Sequence, residues 1–249
     1  MKITTLNLQG FVDWQRREPA IITYLQETQP DIILFQEVVY LPETSAHNQV
    51  QLINQTLRYP YEQTSVTRLQ VGLKVETYRE GLGMLSKYPV TKTDTIVLKK
   101  APDDEHNRIV QLFDIRYKDI TIQLANVHFS LTDTKDFATA HLAETLDILT
   151  RRGEERIIAG DFNIADLSAS KHLWQDSYAS SSQFEYVSFP SEEKCIDYFL
   201  VPKSFKLRHV TTSNNELSDH RAITAEVVVA YNNSFDPFTD LEYQATSVN

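Results

Sequence analysis

Ten segments of the chain carry the hydrophobic pattern of β-strands. Alternating apolar and polar positions, as in "KITTLNLQ", are typical of a strand with one covered face. Nearly continuous apolar runs, as in "DIILFQEV", indicate strands that are covered on both faces. The predicted strands are residues 2–9, 31–38, 81–87, 94–99, 108–117, 120–130, 156–163, 195–201, 207–214 and 221–230.

Three other segments have helical periodicity, and they comprise residues 18–29, 44–58 and 133–152. The first has Pro19 near its start, where proline is tolerated in a helix. Its spaced positions are Ile21, Tyr24, Leu25 and Thr28. The third helix places Leu142, Leu146 and Leu149 on one stripe and ends before Gly153, and glycine commonly follows a helix end.

The number and order of these elements predict an α/β (α+β) fold. Ten strands with only three helices do not form a simple βαβ alternation, so two mixed sheets packed face to face, with helices on their outer faces, fit better. A length of 249 residues with 41% hydrophobic composition suits one domain over residues 1–249. Residues 231–249 form an acidic, polar C-terminal tail.

Composition narrows the class of protein. A single cysteine, Cys195, excludes an internal disulfide and a multi-cysteine zinc site. No apolar run approaches the ~20 residues of a membrane span, and the N-terminus does not have the pattern of a signal peptide. We therefore expect a monomeric, cytoplasmic protein with a soluble substrate. The net charge of −10 argues against a general nucleic-acid coat protein, but bound cations could still let the chain act on a phosphate ester.

Six of the predicted strands carry polar side chains at or near one end. These side chains are Asn7, Gln36, Glu37, Asn126, His128, Asp161, Asn163, Asp197, Asp219 and His220. A carboxylate near a core is costly unless it is paired or binds a cation, so the repetition predicts one shared polar pocket. Carboxylates can hold Mg²⁺, and a histidine paired with aspartate can move a proton near neutral pH.

This set of residues resembles the endonuclease/exonuclease/phosphatase superfamily, which contains DNase I, apurinic endonucleases, neutral sphingomyelinases and inositol polyphosphate 5-phosphatases. The matching motifs occur in the family's order: "TLNLQ", "LFQEV", "NVHFS", "GDFN", "IDYFLV" and "SDH". Each motif alone is weak, but together they span residues 7–220. The resemblance implies the four-layered α/β sandwich of DNase I. A histidine at position 128 and the segment "REGLGMLSKYPV" resemble the branches with two active-site histidines.

The resemblance also implies a role for each candidate residue. Glu37 would be the main ligand of Mg²⁺ or Mn²⁺, with Asn7 and Asp219 as further metal-site residues. The implied catalytic residues are Glu80, His128, Asp161, Asn163, Asp197 and His220, and the implied substrate-binding residues are Asn7, Arg108 and Asn163. Asp197 would orient His220, and Glu80 would orient His128. The family usually has arginine where this chain has Cys195, and that arginine is not a catalytic group.

The resulting hypothesis is a divalent-metal-dependent phosphodiesterase or phosphomonoesterase that uses in-line attack of water. His220 with Asp197, or alternatively Asp161, would activate the water, and His128 would aid departure of the leaving oxygen. The alternatives are an endo- or exonuclease acting on DNA or RNA, a sphingomyelinase-like lipid phosphodiesterase, and a non-catalytic scaffold of the same fold. The net charge gives nucleic acid little support as a substrate.

Overall fold

Twelve strands form two sheets in the computed structural model, which describes residues 1–41, 45–70, 77–131, 135–214 and 217–230. The strands are β1 Lys2–Asn7, β2 Ile32–Tyr40, β3 Tyr61–Gln70, β4 Tyr78–Ser86, β5 Val90–Val97, β6 Ile109–Tyr117, β7 Ile120–His128, β8 Ile157–Asp161, β9 Tyr178–Ser180, β10 Asp197–Pro202, β11 Phe205–Thr212 and β12 Ile223–Val229. The helices are α1 Trp14–Thr28, α2 Gln49–Leu57, α3 Phe137–Arg152 and the single turn α4 Lys171–Trp174.

Each sheet has six strands with one parallel pair at its centre. The first sheet has the order β11-β12-β1-β2-β4-β3, and the second has the order β5-β6-β7-β8-β10-β9. The strands β1 and β2 are parallel in the first sheet, and β7 and β8 are parallel in the second. Their neighbours β12, β4, β6 and β10 are antiparallel to them. Both sheets are therefore mixed, as predicted.

Three hydrophobic clusters separate the layers. The cluster between the sheets includes Ile3, Leu34 and Ile223 from the first sheet and Phe113, Leu124 and Phe199 from the second. A second cluster packs α1 and α2 on the outer face of the first sheet, and a third packs α3 on the outer face of the second sheet. The order helix, sheet, sheet, helix confirms the four-layered α/β sandwich.

All ten predicted strands are present, but two further strands were missed. These are β3 and β9, which lie at the edges of the two sheets. An edge strand needs only a few apolar side chains because much of it faces solvent, and "YEQTSVTRLQ" of β3 accordingly has no continuous apolar run. The missed edge strand β3 carries Arg68, whose importance for the site is described below.

The helices differ from prediction mainly at their N-termini. Helix α1 begins at Trp14, four residues before the predicted start, so that Pro19 lies inside it. The buried side chains of Trp14 and Arg17 hold this first turn, and Arg17 donates hydrogen bonds to the carbonyl oxygens of Val12 and Leu217. Helix α2 begins after Asn48, whose side chain forms a capping box with Gln51. The α3 stripe and its end at Gly153 agree with prediction.

Several predicted segments extend beyond the described residues. The C-terminal tail at 231–249 lies outside them, as do residue 44 of the second predicted helix and residues 133 and 134 of the third. The single domain over residues 1–249 therefore stays a prediction.

Gly160 allows β8 to approach β7 closely just before the end of both strands. Its φ is 142°, and a Cβ atom there would lie 2.1 Å from the carbonyl oxygen of Val127 on β7. A side chain at this position would force the two backbones apart. Gly153 offers a matched comparison, because its φ is also positive at 64° but no atom of the described residues lies within 4 Å of its Cβ position.

We expect Gly160→Ala to lower the free energy of unfolding by about 3 kcal/mol, because both the backbone conformation and the contact with Val127 are unfavourable for alanine. Gly153→Ala should lower the free energy of unfolding by only about 1 kcal/mol, because the left-handed backbone conformation is the one unfavourable feature for alanine there. Urea unfolding of the two variants beside the wild type measures the difference. Equal losses in the two variants would show that the close approach of β7 and β8 is not a constraint.

Candidate active site

The carboxyl ends of the two central parallel pairs meet at one edge of the sandwich. Asn7 ends β1, His128 ends β7 and Asp161 ends β8, while Glu37 lies within β2. The strand register places His128 directly beside Asp161. These four side chains line or border a cleft of about 310 Å³ that also contains Asn163, Asp219 and His220. A larger cavity of about 630 Å³ lies beside α1 and α2, and none of the candidate site residues lines it.

A bulge in β2 directs Glu37 into this cleft. The register with β4 shifts between Phe35 and Val38, and Glu37 has a positive φ of 51°. Burial, followed by the nearby charge of Glu80, raises the pKa of the Glu37 carboxyl above its ordinary value. Strain at a non-glycine residue is often found at functional sites. Here the bulge places a carboxylate where a regular strand would turn it away.

Asn7 connects the carboxylates of the two sheets. Its Nδ2 donates to Glu37 Oε1 at 3.3 Å and to Asp161 Oδ2 at 3.0 Å. Its Oδ1 accepts a hydrogen bond from the backbone N–H of Gln9 at 2.9 Å. In this geometry Asn7 holds the two carboxylates in place, and its place among the metal-site residues stays a prediction.

Asp161 lies at the centre of the cluster. Its Oδ2 is 3.4 Å from His128 Nε2 and 3.9 Å from His220 Nε2. Its Oδ1 accepts the backbone N–H of Asn163 at 2.9 Å. Burial and the charge of Asp197 raise the pKa of the Asp161 carboxyl to about 7. The group therefore takes up and releases a proton near neutral pH.

Asp197 and His220 form a buried ion pair. Asp197 begins β10 beside Asp161 on β8, and its Oδ2 lies 2.8 Å from His220 Nδ1. His220 precedes β12 and packs against the ring of Phe189 at 5.0 Å. Burial lowers the pKa of His220, but the charges of Asp197 and Asp161 outweigh it and raise the pKa to about 10. His220 is therefore an imidazolium at neutral pH, and the expected contact with Asp197 is present.

His128 has the opposite electrostatic environment. Its Nε2 lies 3.9 Å from Glu37 Oε1 in addition to its contact with Asp161. Burial, followed by the charges of Arg108 and Arg68, lowers its pKa well below the ordinary value for histidine. His128 is consequently neutral at neutral pH, whereas His220 is charged.

Asn163 and Asp219 lie on loops that border the cleft. Asn163 has a positive φ of 52°, and its Nδ2 donates to the carbonyl oxygen of Phe129 at 2.9 Å. Asp219 accepts a hydrogen bond from Ser218 Oγ at 2.9 Å and is only partly buried. Both side chains line the cleft with the groups described above.

Glu80 does not have the partner expected from the sequence. Its Oε1 accepts hydrogen bonds from Arg68 Nε at 3.0 Å and Nη2 at 2.7 Å. Among the described residues we find no hydrogen bond between Glu80 and His128. The carboxylate instead neutralises Arg68. This arginine was not among the predicted site residues, because β3 was not predicted as a strand.

Arg108 lies directly before β6 and is 4% exposed. Arg108 lines the cleft. Arg68, His106 and Lys194 line it as well, and none of these three was predicted to lie there. His106 lies outside the motifs that predicted the site. The sequence signal that could have identified His106 is its position two residues before Arg108, at the start of a predicted strand.

The remaining histidines lie outside the cleft. His47, His172 and His209 are exposed, and His141 is buried beside Ser130 and Asp104. Asn126 and Gln36, which share the pattern of polar strand ends, are also absent from the cleft lining. They hydrogen-bond to each other at 2.8 Å between the sheets.

Comparison with known proteins identifies the class to which this arrangement belongs. Residues 4–220 match the sequence model of the Endonuclease/Exonuclease/phosphatase family, so the chain is a member of that family. Members of this family are hydrolases that act on phosphoester bonds. No curated protein gives a significant sequence match.

Solved structures share the fold at low sequence identity. A family protein from Leptotrichia buccalis C-1013-b has a TM-score of 0.76 and 19% identity, over 92% of this chain and 99% of its own. D. rerio TDP2 complexed with single strand DNA product has a TM-score of 0.72 and 17% identity, over 92% and 99%. A mannosyl-6-phosphatase from Bacteroides thetaiotaomicron VPI-5482 has a TM-score of 0.66 and 17% identity, also over 92% and 99%.

None of the helices in the described part of the chain combines the length and apolar character needed to cross a bilayer.

We expect Asp197→Asn to lower the pKa of His220 by roughly 2 pH units, because the variant loses the adjacent negative charge. Titration of the His220 ring followed by NMR measures this change. Because the pKa of His220 is raised to about 10 in the folded state, protonation of this ring stabilises the folded state in full below about pH 6.5, and this stabilisation is lost as the pH rises through 10. The difference in unfolding free energy between the wild type and Asp197→Asn should therefore become smaller as the pH rises from about 6.5 to 10. An unchanged His220 titration would contradict the assigned pair.

Proposed function

We propose that the protein is a divalent-metal-dependent phosphoesterase that hydrolyses its substrate by in-line attack of water. The observation that carries the proposal is the convergence of Asp161, His128 and the Asp197–His220 pair in one cleft, with the Glu37 carboxylate beside them. These are the groups needed to bind a phosphate, to accept a proton and to donate one. Family membership supports the same class of reaction.

The donor set at the cleft fits a hard divalent cation such as Mg²⁺ or Mn²⁺. Burial and the neighbouring carboxylates Glu80 and Asp219 disfavour the charged form of Glu37, so a cation would relieve an unfavourable concentration of negative charge. We assign Glu37 as the main ligand and Asp219 as a further one, with Asn7 holding Glu37 in position. When bound, the metal supplies positive charge to phosphoryl oxygens.

Another group of possible ligand atoms lies within 4.8 Å of one another, on Asp161, Asp197 and His220. His220 Nδ1 is already engaged by Asp197 at 2.8 Å, and the ring is charged at neutral pH. A protonated imidazole nitrogen cannot bind a metal. These three residues therefore suit proton transfer, and the cation is assigned to the side of the cleft that contains Glu37.

We assign to Asp161 the role of accepting the proton of the attacking water. Its pKa of about 7 allows it to be ionised and still basic near neutral pH. Asn7 and the backbone of Asn163 hold the carboxylate in a fixed orientation. The side chain of Asn163 is assigned to a phosphoryl oxygen. Of the two alternatives for the base, the charged state of His220 favours Asp161.

His220, charged through its pairing with Asp197, is assigned to donate a hydrogen bond to the phosphate and to stabilise its developing charge. His128 is neutral, so it is better suited to hydrogen bonding at the leaving oxygen than to carrying a positive charge. Arg108 is assigned to substrate binding. The cytoplasmic location and the monomeric state stay predictions.

We expect metal-dependent hydrolysis of at least one of p-nitrophenyl phosphate, bis-p-nitrophenyl phosphate, plasmid DNA, sphingomyelin or sugar phosphates, with complete loss in chelator. Asp161→Asn and His220→Ala should each lower kcat by roughly 10²- to 10⁴-fold. His209→Ala is the matched control, because His209 is exposed on β11. Full activity in Asp161→Asn, or the same loss in His209→Ala, would exclude the proposed site.

We expect kcat/KM to rise with pH through about 7, as Asp161 loses its proton, and to fall through about 10, as His220 loses its own. Asp197→Asn should move the upper limit of this profile to lower pH, because His220 then titrates earlier. The profile is measured with the preferred ester at saturating metal. A falling limb that stays in place in Asp197→Asn would exclude His220 as the group responsible for it.

A further inference from the structure

One wall of the cleft carries three basic side chains from two neighbouring segments. Arg68 lies on β3, whereas His106 and Arg108 lie in the segment directly before β6. All three line the cleft that also contains Glu37, Asp161 and His220. The acidic groups and this basic wall therefore enclose the same space.

Arg108 is a buried cation for which the described part of the chain offers no ionic partner. Its side chain is nearly fully buried, and its Nε has no hydrogen-bond partner among the residues that the structure describes. We find no salt bridge to its guanidinium among the described residues. An unpaired charge away from water is costly, and an anion in the cleft would remove this cost. Arginine binds phosphate through parallel N–H···O hydrogen bonds.

Arg68 and His106 complete the wall. Glu80 accepts hydrogen bonds from Arg68 Nε and Nη2, and Arg68 Nη1 contacts His106 Nδ1. Because arginine has no acceptor, His106 Nδ1 must accept this hydrogen bond. The neutral ring then carries its proton on Nε2. The backbone N–H of His106 is held by Asp104 Oδ1 at 2.9 Å.

We propose that Arg108, with Arg68 and His106, forms an anion subsite that selects the dianionic phosphate group of a phosphate monoester, an inference that rests on the proposed phosphoesterase function. The wall offers N–H donors at Arg108 and His106, and the guanidinium of Arg108 has no salt bridge to a carboxylate of the described residues. A monoester presents three terminal oxygens, all of them acceptors, and phosphoryl transfer spreads negative charge over three equatorial oxygens.

A phosphodiester fits this wall less well. It has a single negative charge and only two terminal oxygens, because the oxygen that is the third terminal one in a monoester bridges to carbon, carries no charge and is a weaker acceptor. Leaving these donors unpaired is the kind of mismatch that discriminates strongly between substrates. The subsite thus narrows the substrate class from phosphate esters in general to phosphate monoesters.

The first test measures binding, so that it does not depend on turnover. Inorganic phosphate and dimethyl phosphate are titrated into the Mg²⁺-loaded wild-type protein by calorimetry at about pH 8, where inorganic phosphate is mainly a dianion and dimethyl phosphate is a monoanion. We expect phosphate to bind at least roughly 10-fold more tightly than dimethyl phosphate. Equal affinities, or no binding of phosphate, would overturn the inference.

Variants locate the binding to this wall. Arg108→Met should weaken phosphate binding by roughly 10- to 100-fold and leave dimethyl phosphate almost unchanged. Arg208→Met is the matched control, because Arg208 is exposed on the remote edge strand β11. His106→Leu should also weaken phosphate binding, and His106→Gln should restore much of it by supplying an N–H near the position of Nε2. An equal effect of Arg108→Met on the two ligands would overturn the selectivity.

Arg68 is assigned as a positioning residue. The double variant Arg68→Met/Glu80→Gln removes both charges of the Arg68–Glu80 ion pair together. We expect it to lower the ratio of kcat/KM for p-nitrophenyl phosphate over that for bis-p-nitrophenyl phosphate, whereas a merely structural role would lower both equally.

The two proposals can fail separately. Selective phosphate binding without hydrolysis of any ester would retain the subsite and exclude the phosphoesterase. Hydrolysis of esters without selective phosphate binding would retain the phosphoesterase and exclude the subsite.

Discussion

The side-chain hydrogen bond between Gln36 and Asn126 determines how the two sheets meet beneath the cleft. Gln36 Nε2 donates to Asn126 Oδ1 at 2.8 Å and to Thr5 Oγ1 at 3.0 Å. Asn126 Nδ2 in turn donates to the carbonyl oxygens of Phe35 and Gly83. Because a buried amide without partners costs about 1–3 kcal/mol, sliding one sheet against the other is unfavourable. Glu37 follows Gln36 directly and His128 lies two residues beyond Asn126, so this contact also fixes the distance between the two halves of the site.

The charged groups in the cleft are less completely paired than the hydrogen-bonded side-chain amides beneath it. Burial shifts the pKa values of Glu37 and Asp161 upwards and that of Arg108 downwards, which in each case disfavours the charged form. Arg108 nevertheless stays charged near neutral pH, with a pKa of about 10. The folded protein therefore maintains opposite charges at close range without pairing them fully. Such an arrangement lowers stability and is expected where a cation and an anionic ligand complete the site.

The sequence predicted those parts of the molecule that depend on local pattern. Continuous apolar runs marked the central strands, "GDFN" marked the end of β8, and "SDH" marked the residues just before β12. The polar residues of the buried interface could not be separated from those of the cleft, because Asn126 and His128 occupy alternate positions on the same strand. Which of them faces the other sheet and which faces the cleft depends on strand register and on where β7 ends, and neither is encoded locally.

The basic wall was beyond prediction for a different reason. Arg68 lies on an edge strand whose mixed polar pattern resembles a surface loop, and its partner Glu80 lies on the adjacent strand, 12 positions away along the chain. The pairing arises only from the antiparallel register of β3 with β4, in which Arg68 lies opposite Glu80. The resemblance to a family assigned Glu80 to His128, whereas the strand register assigns it to Arg68.

The two histidines of the site show how the surrounding charges decide their chemistry. Both rings are buried and both have a carboxylate oxygen of Asp161 within 4 Å. His220 also pairs with Asp197, and the two carboxylates overcome the cost of burial and keep the ring protonated. His128 contacts the same Asp161, but the charges of Arg108 and Arg68 add to the effect of burial. The basic wall therefore reinforces burial in keeping His128 neutral beside a histidine that is charged. The difference between the two rings arises from Asp197 on β10, which favours the charged form of His220, and from Arg108 before β6 and Arg68 on β3, which disfavour the charged form of His128.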